Sequence, residues 1–227
     1  MLAAIIIVVI LASCFFVYAS YNINSGVYLK TLCKAKTTER LVALTFDDGP
    51  DAEQTARVLD VLLEFNVKAC FFCIGKNIKG NELLIKRMIN EGHLIGNHSY
   101  NHNFSFTLQS AKRVQSDLQK CEETIKETGN IKVGLFRPPF GVTNPMIAKA
   151  SKQMNYINIG WSIRSLDTCN AMDKTLDRIK KKLHKGAIIL LHDPLPMSDQ
   201  LVRNLLIHLR DNNYRVERLD TLLNLKN

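Results

Sequence analysis

The feature of this chain that most constrains its fold is a short apolar run, residues 41–46, followed directly by Asp47-Asp48-Gly49-Pro50. An apolar run of this length, bounded by glycine and proline, is typical of a strand buried on both faces. Two carboxylates at its end would lie at the rim of a sheet or barrel, where α/β proteins place their chemistry. The same four residues also favour a tight turn without any function. The rest of the chain has to separate these interpretations.

Beyond residue 39, predicted strands and helices alternate. The predicted strands are the runs 40–46, 68–74, 93–96, 133–136, 156–159, 187–191 and 214–216. The longest helical pattern, 108–128, spaces its apolar residues three and four apart and stops at a glycine. Repeated β-α units predict a parallel sheet with right-handed crossovers. With about seven strands and no doubly wound fingerprint, we expect an α/β fold of the barrel type.

The N-terminal segment, residues 2–19, carries no charge and is almost entirely apolar. Its length lies at the short end for a membrane-spanning helix and at the long end for the core of a signal peptide. An uncleaved anchor fits this length, and a secretory signal could instead be cut after Ala19. Residues 11–14 resemble a lipobox, with Cys14 as the lipid attachment point. The absence of Lys or Arg before the stretch favours the anchor.

Three regions are therefore predicted: residues 1–19 as a transmembrane anchor or signal segment, 20–38 as a polar linker, and 39–227 as the folded domain. The domain is expected outside the cytoplasm, held at the membrane through its N-terminus, with a secreted protein and a lipoprotein as alternatives. A formal charge of +9 favours anionic partners such as cell-wall polymer or phospholipid head groups. Because the cations are scattered and common nucleic-acid motifs are missing, we expect no nucleic-acid partner.

Polar side chains cluster where the predicted strands end. They are Asp47 and Asp48 after the first strand, His98 and His102 after the third, Arg137 after the fourth, Asp167 after the fifth and His192 after the sixth. In a β/α barrel all these positions converge on one rim. This convergence predicts a functional site and argues against ordinary surface residues.

His98 and His102 are four residues apart, so on a helical turn they would share one face and could bind one metal. Two histidines with one aspartate leave open positions, as catalytic zinc or another divalent ion requires. Adjacent carboxylates repel each other unless their tasks differ. One of Asp47 and Asp48 could therefore bind the metal while the other handles protons.

The segment Arg137-Pro138-Pro139-Phe140-Gly141 predicts a rigid turn. Its arginine is either an exposed strand-end residue or the partner of a carboxylate, which it would keep ionised. Since proline has no N–H, Phe140 supplies the first free backbone donor after Arg137, and such a donor can stabilise an oxyanion.

His192 at a strand end is either a buried core residue or a general acid, and Asp167 could hold its imidazole protonated and aligned. Trp161, a few residues before Asp167, is expected in the core or in a pocket wall.

Taken together, these motifs resemble the polysaccharide deacetylases of carbohydrate esterase family 4. They are Thr-Phe-Asp-Asp-Gly-Pro, His-Ser-x-x-His, Arg-x-Pro-Phe-Gly and Leu-x-His, in the family's order, over about residues 40–220. The resemblance implies a distorted (β/α) barrel and a metal-dependent hydrolase that removes acetyl groups from a carbohydrate. It implies the catalytic base at Asp47 and the metal ligands Asp48, His98 and His102. The remaining roles implied are Arg137 tuning the base, Phe140 donating to the oxyanion, His192 as general acid and Asp167 orienting it.

The chain departs from the family at its fourth motif, often Asp-x-x-Asp-Trp. Here Arg164 replaces the first acid and Thr168 the aromatic residue, while Asp167 remains. The reaction is therefore better predicted than the substrate, which within the family is peptidoglycan, a chitin-like oligomer, xylan or a lipid-linked sugar. A membrane segment and a basic charge favour an acetylated amino-sugar glycan of the cell envelope. Zinc is the expected metal, with cobalt or nickel as alternatives. A deacetylase or deformylase of a lipid-linked sugar and a non-catalytic glycan-binding protein are the competing hypotheses.

Overall fold

The computed structural model describes residues 1–225, in which one apolar helix precedes an α/β domain. The helices are α1 (Leu2–Tyr21), α2 (Gln54–Glu64), α3 (Gly75–Ile78), α4 (Glu82–Asn90), α5 (Ala111–Gly129), α6 (Pro145–Gln153), α7 (Met172–Lys182), α8 (Ser198–Asp211) and α9 (Leu219–Leu222). The strands are β1 (Leu41–Asp47), β2 (Cys70–Cys73), β3 (Leu94–Asn97), β4 (Leu135–Phe136), β5 (Ile157–Asn158), β6 (Ile163–Arg164), β7 (Ala187–His192) and β8 (Arg215–Val216). Of these strands, β6 was not predicted from the sequence.

Seven of the strands form one parallel sheet in the order β5-β4-β3-β2-β1-β7-β6, and β8 pairs with the start of β1. The end strands β5 and β6 are joined by residues 159–162 alone. A flat sheet would hold them roughly 29 Å apart at about 4.8 Å per strand gap. The connection can span only about 18 Å when fully extended. The sheet must therefore curl into a half-barrel, which confirms the predicted distorted (β/α) barrel of about seven strands.

Side chains of β1 alternate between two cores. Val42, Leu44 and Phe46 point outward and pack under the surrounding helices. Ala43 points into the barrel, where it belongs to the inner core. The other members of this inner core are Cys70, Phe72, Leu135, Ile159, Ile188, Leu219 and Leu222. Because α9 supplies the last two of these and follows β8, it closes the barrel at the amino ends of the strands. The opposite rim is left for the polar residues.

Helix α1 is long and apolar enough to cross a membrane, with a mean hydropathy of 2.9 and only 6% of its most apolar window buried. This exposure excludes a buried core helix. The last turn nevertheless contacts the domain. The Thr143 backbone N–H donates to the Ser20 carbonyl at 2.9 Å, and the Thr143 hydroxyl donates to the Ala19 carbonyl at 3.0 Å. The carboxyl end of α1 is thus fixed beside the rim of the barrel.

The segment after α1, up to residue 38, contains no helix but lies against the barrel. Leu32 pairs with Ile159 and Lys34 pairs with Ala187 through isolated bridges. Leu29 and Cys33 are buried. The segment therefore covers the connection between β5 and β6, where the sheet is open.

Candidate active site

All nine residues singled out from the sequence lie at the carboxyl ends of the strands. Asp47 and His192 are paired across β1 and β7, and Asp47 is also paired with Phe72 of β2. A cleft of about 240 Å³ opens at this rim. Its lining residues are Asp47, Asp48, His98, His102, Phe140, Gly141, Trp161, Arg164, Thr168, Leu190 and His192. Arg137 and Asp167 lie behind this lining and hold Asp47 and His192.

Arg137 is fully buried inside the barrel and pairs with Asp47 at 2.7 Å. The guanidinium also donates to the Thr45 hydroxyl at 2.9 Å and to the Gly160 carbonyl at 2.8 Å, and it lies 4.3 Å from the centre of the Phe72 ring. A buried charge needs such partners, so the alternative of an exposed turn arginine is wrong. Burial raises the pKa of Asp47 and outweighs the lowering effect of the Arg137 charge.

Asp48, His98 and His102 place three electron-pair donors around one point. His98 Nε2 lies 3.5 Å and His102 Nε2 3.4 Å from Asp48 Oδ1. The His98 Nδ1 is 2.8 Å from the Arg137 carbonyl, which can only accept, so Nδ1 carries the proton and Nε2 the lone pair. Burial lowers the pKa of His98 to about 3 and also lowers that of His102, which keeps both rings neutral.

Two of these three atoms, Asp48 Oδ1 and His102 Nε2, are buried without a hydrogen-bond partner among the described residues. Buried polar atoms without a hydrogen-bond partner are left unsatisfied, and a cation that both atoms ligate would satisfy them. The three donor atoms lie within 4.8 Å of one another. The arrangement therefore fits a metal ion, and it is a possible Asp-His-His metal site.

The segment that carries the two histidines is an irregular loop, not the helical turn predicted from their spacing. Ser99 and His102 have positive φ angles of 71° and 50°. Asp117 of α5 holds this loop, because its carboxylate accepts the Tyr100 N–H at 2.7 Å and the Asn101 side-chain amide at 2.6 Å. Asp117 was missed by the sequence analysis. The sequence signal for Asp117 is an acidic residue among the apolar residues on the buried face of α5.

Across the cleft, Asp167 and His192 form a second pair. One Asp167 oxygen is 2.7 Å from His192 Nδ1, and the other accepts the His192 backbone N–H at 2.8 Å. Burial lowers the pKa of His192, but the hydrogen bond and charge of Asp167 outweigh it and raise the value to about 9. His192 Nε2 lies 3.9 Å from Asp48 Oδ2, so it faces the possible metal site.

Phe140 and Trp161 form one wall of the cleft. Phe140 has a φ angle of 60°, and its ring centre lies 4.6 Å from that of His102. Gly141 packs against the Trp161 indole so closely that a Cβ at this position would overlap it. This contact fixes the turn that carries Phe140 at the cleft.

A buried acid that the sequence analysis gave no role, Asp193, supports the loop after Asp48. It accepts a hydrogen bond from the Thr55 hydroxyl, and a Cβ at Gly49 would overlap its Oδ2. Burial raises the pKa of Asp193 to about 7. Only glycine at position 49 allows this close approach.

Comparison with known proteins places this geometry in a family. The polysaccharide deacetylase family model matches residues 34–159. Peptidoglycan-N-acetylmuramic acid deacetylase PdaA of Bacillus subtilis is 35% identical over 192 residues, which cover 82% of this chain and 73% of that protein. A Bacillus cereus peptidoglycan-N-acetylglucosamine deacetylase is 34% identical over 198 residues, covering 83% and 90%.

Among solved structures, a CE4 family pseudoenzyme from Bacillus anthracis superposes with a TM-score of 0.78 at 27% identity, covering 85% of this chain and 68% of that one. The matched family model spans more than half of the chain and includes Asp47, Asp48, His98, His102 and Arg137. The chain belongs to the polysaccharide deacetylase family.

Proposed function

We propose that the protein is a metal-dependent hydrolase of carbon–nitrogen, non-peptide bonds that removes N-acetyl groups from an envelope glycan of the peptidoglycan or chitin type. The observation that carries this proposal is the arrangement of three units around one cleft. These are a buried carboxylate with its arginine, a possible three-ligand metal site, and a histidine with its aspartate. The related deacetylases act on sugars of this kind, as their names state.

Asp48, His98 and His102 would hold the metal. Asp48 Oδ1 lies 3.5 Å from His98 Nε2 and 3.4 Å from His102 Nε2. These two separations are close to the roughly 3.3–3.4 Å between neighbouring donors that bonds of about 2.0–2.1 Å set in a tetrahedral zinc site. Cobalt or nickel would also accept these ligands. A divalent ion there would polarise the acetyl carbonyl and make water easier to deprotonate.

The protein's own groups then move the protons. Asp47 has one oxygen on Arg137, and its other oxygen lies 3.7 Å from His98 Nε2, on the side of the metal ligands. It accepts the proton of a water whose oxygen bonds to the acetyl carbon. The Phe140 N–H donates to the oxyanion that forms. Protonated His192 gives its proton to the amine nitrogen as the carbon–nitrogen bond breaks, which leaves acetate and a free amino sugar. Asp167 positions His192, and Trp161 forms the wall beside the substrate.

Acetate release from a panel of glycans tests this function. Peptidoglycan, chitin oligomers and an O-acetylated xylan would be compared, with Asp47→Asn as the inactive control. Because residues 22–38 pack on the barrel, a soluble form should keep them and lack only α1. Acetate from the first two substrates supports the proposal. Glycan binding without any acetate release would favour the non-catalytic alternative.

A second candidate substrate, a lipid-linked amino sugar, is favoured by the position of α1. Tyr21 and Asn22, at its carboxyl end, line a groove that shares Trp161 and Arg164 with the cleft. In this proposal α1 anchors the protein and the domain lies outside the cytoplasm, where the envelope glycan is. Rates on a lipid-linked acceptor and on the same sugar in soluble form would distinguish the two substrates.

A further inference from the structure

Arg164 is a cation of the cleft that the proposed mechanism does not use. It is the last residue of β6, is exposed, and lines the cleft together with His192. Its guanidinium carbon lies 5.8 Å from the centre of the Trp161 ring. No carboxylate of residues 1–225 forms an ion pair with it. By contrast, the Arg203 guanidinium is held by both oxygens of Glu64, each at 2.6 Å. The charge of Arg164 is therefore available to a ligand.

The groove on the other side of Arg164 is also basic. It has a volume of about 270 Å³ and shares Trp161 and Arg164 with the cleft. Arg178 and Lys182 of α7 line it, and its lining includes no Asp or Glu. The Arg178 Nε donates to the Arg164 carbonyl at 2.8 Å, which fixes the position of one cation relative to the other. A polymer that leaves the cleft over this wall meets three cations in succession.

The charge of Arg164 is opposite to that of the acid often found at this place in the family. The cleft already contains Asp47 and Asp48, and a further acid would repel an anionic sugar. An arginine attracts one, and its planar fork matches a carboxylate with two parallel hydrogen bonds. The cation–π contact with Trp161 holds the guanidinium at the edge of the cleft without neutralising it.

Building on the proposed deacetylation, we propose that Arg164 is a specificity-determining residue that binds a carboxylate carried by the substrate glycan. Arg178 and Lys182 extend this site along the neighbouring groove. The substrate class is therefore an acetylated amino-sugar polymer with acidic substituents, such as strands that contain N-acetylmuramic acid. Neutral oligomers of N-acetylglucosamine lack the group that Arg164 binds.

The test compares two substrates of equal length, an N-acetylmuramic acid-containing strand and a neutral N-acetylglucosamine oligomer. The full-length, metal-loaded protein in detergent is used throughout. The measured quantity is the ratio of kcat/KM for the acidic substrate to that for the neutral one. A hydrogen bond to a charged group contributes about 1.5–3 kcal/mol, so Arg164→Gln should lower this ratio roughly 10- to 100-fold, mainly through KM. Arg164→Lys keeps the charge but loses the fork, and should give an intermediate ratio.

Arg210→Gln is the matched control, because it removes the same charge from an exposed arginine of α8 that already contacts Asp211. It should leave the ratio unchanged. When the carboxylates of the acidic strand are converted to amides, the native protein should lose its preference for that strand. Its kcat/KM ratio should then fall to the value found for Arg164→Gln. An unchanged ratio in Arg164→Gln, or the same fall in Arg210→Gln, would overturn the assignment of Arg164.

Binding separates this inference from the proposed function. The deacetylated acidic strand is titrated into native protein and into Arg164→Gln, which requires no turnover. Weaker binding by Arg164→Gln alone supports the carboxylate site even when no glycan releases acetate. Equal binding by the two proteins overturns the site even when deacetylation is found.

Discussion

Asp167 holds His192 at two points, the ring Nδ1 at 2.7 Å and the backbone N–H at 2.8 Å. The two contacts fix the ring in one orientation and leave Nε2 facing the cleft. Burial alone would lower the pKa of His192, yet the Asp167 carboxylate raises it to about 9. A pKa in this range keeps the imidazole protonated at neutral pH, which suits the general-acid role proposed for His192.

The first prediction concerns the pH dependence of Asp167→Asn. An amide can still accept from Nδ1 but has no charge, so the pKa of His192 should fall from about 9 toward the ordinary value near 6.5. The protonated acid is lost as pH rises through this pKa, so the alkaline limb of kcat should move to lower pH. The maximal rate should fall roughly 100-fold. An alkaline limb that stays in place with full activity would remove Asp167 from the mechanism.

The second prediction is metal dependence. A chelator should abolish activity, and zinc or cobalt should restore it, because Asp48 Oδ1 and His102 Nε2 are buried polar atoms without a hydrogen-bond partner among residues 1–225. His98→Ala leaves two ligands and should bind metal at least roughly 100-fold more weakly. His208→Ala, a histidine on α8, is the control and should keep full metal content by elemental analysis. Full activity of a metal-free preparation would disprove the mechanism.

The third prediction separates the two adjacent acids. Asp47→Asn should keep its metal and lose roughly 100- to 10,000-fold in kcat, since an amide cannot take a proton from water. It also leaves the buried Arg137 without its counter-charge, which costs up to about 3–5 kcal/mol of unfolding free energy. Asp48→Asn should lose metal affinity. Thermal unfolding and metal content measure both effects, and equal metal binding by the two variants would contradict this division of tasks.

The fourth prediction concerns the contact between Gly49 and Asp193. Gly49→Ala places a methyl group where Asp193 Oδ2 lies, so Asp193 or the loop after Asp48 has to move. We expect a loss of about 1–3 kcal/mol in unfolding free energy and a fall in metal affinity. Gly134→Ala adds the same group where no atom lies within 4 Å, and should be tolerated. Equal stability and metal affinity in both variants would show that the contact is unimportant.

The fifth prediction concerns orientation. With α1 as an anchor and the domain outside, trypsin added to intact spheroplasts should shorten the protein at the exposed Lys30 or Lys36. In this orientation the lysines would lie on the outer side, opposite to the usual positive-inside bias, so the experiment tests the orientation directly. Lysed spheroplasts serve as the control for cleavage. Protection in intact cells together with cleavage after lysis would place the domain inside.

The rim of the barrel could be predicted from the sequence because topology alone brings strand ends together. An apolar run followed by a polar residue marks the end of β1, β4 or β7 in the sequence. This signal does not depend on which strands lie beside it in the sheet. Parallel pairing then sets Asp47 beside His192, 145 positions later in the chain. No knowledge of packing is needed for this step.

The conformation of the histidine loop could not be predicted in the same way. A spacing of four suggested a helical turn, but Ser99 and His102 have positive φ angles, and Asp117 holds the residues between them from outside the loop. A contact between distant segments overrode the local pattern. Burial of Arg137 was hidden for a similar reason, because its acceptors include the carbonyls of Ile159 and Gly160, beyond β5. The two-residue strand β6 is too short to show a periodicity.

With α1 in a bilayer, the two hydrogen bonds from Thr143 to the last turn of α1 would set the distance between the cleft and the lipid. Thr143 lies two residues after Gly141, which lines the cleft, so the two hydrogen bonds tie the helix end to the cleft. A domain on a flexible tether would reach glycan over a wide range of distances from the membrane. With α1 in a bilayer, this domain instead keeps its cleft at a fixed distance from the lipid. It would deacetylate only the layer of glycan next to the membrane, and strands farther out would keep their acetyl groups.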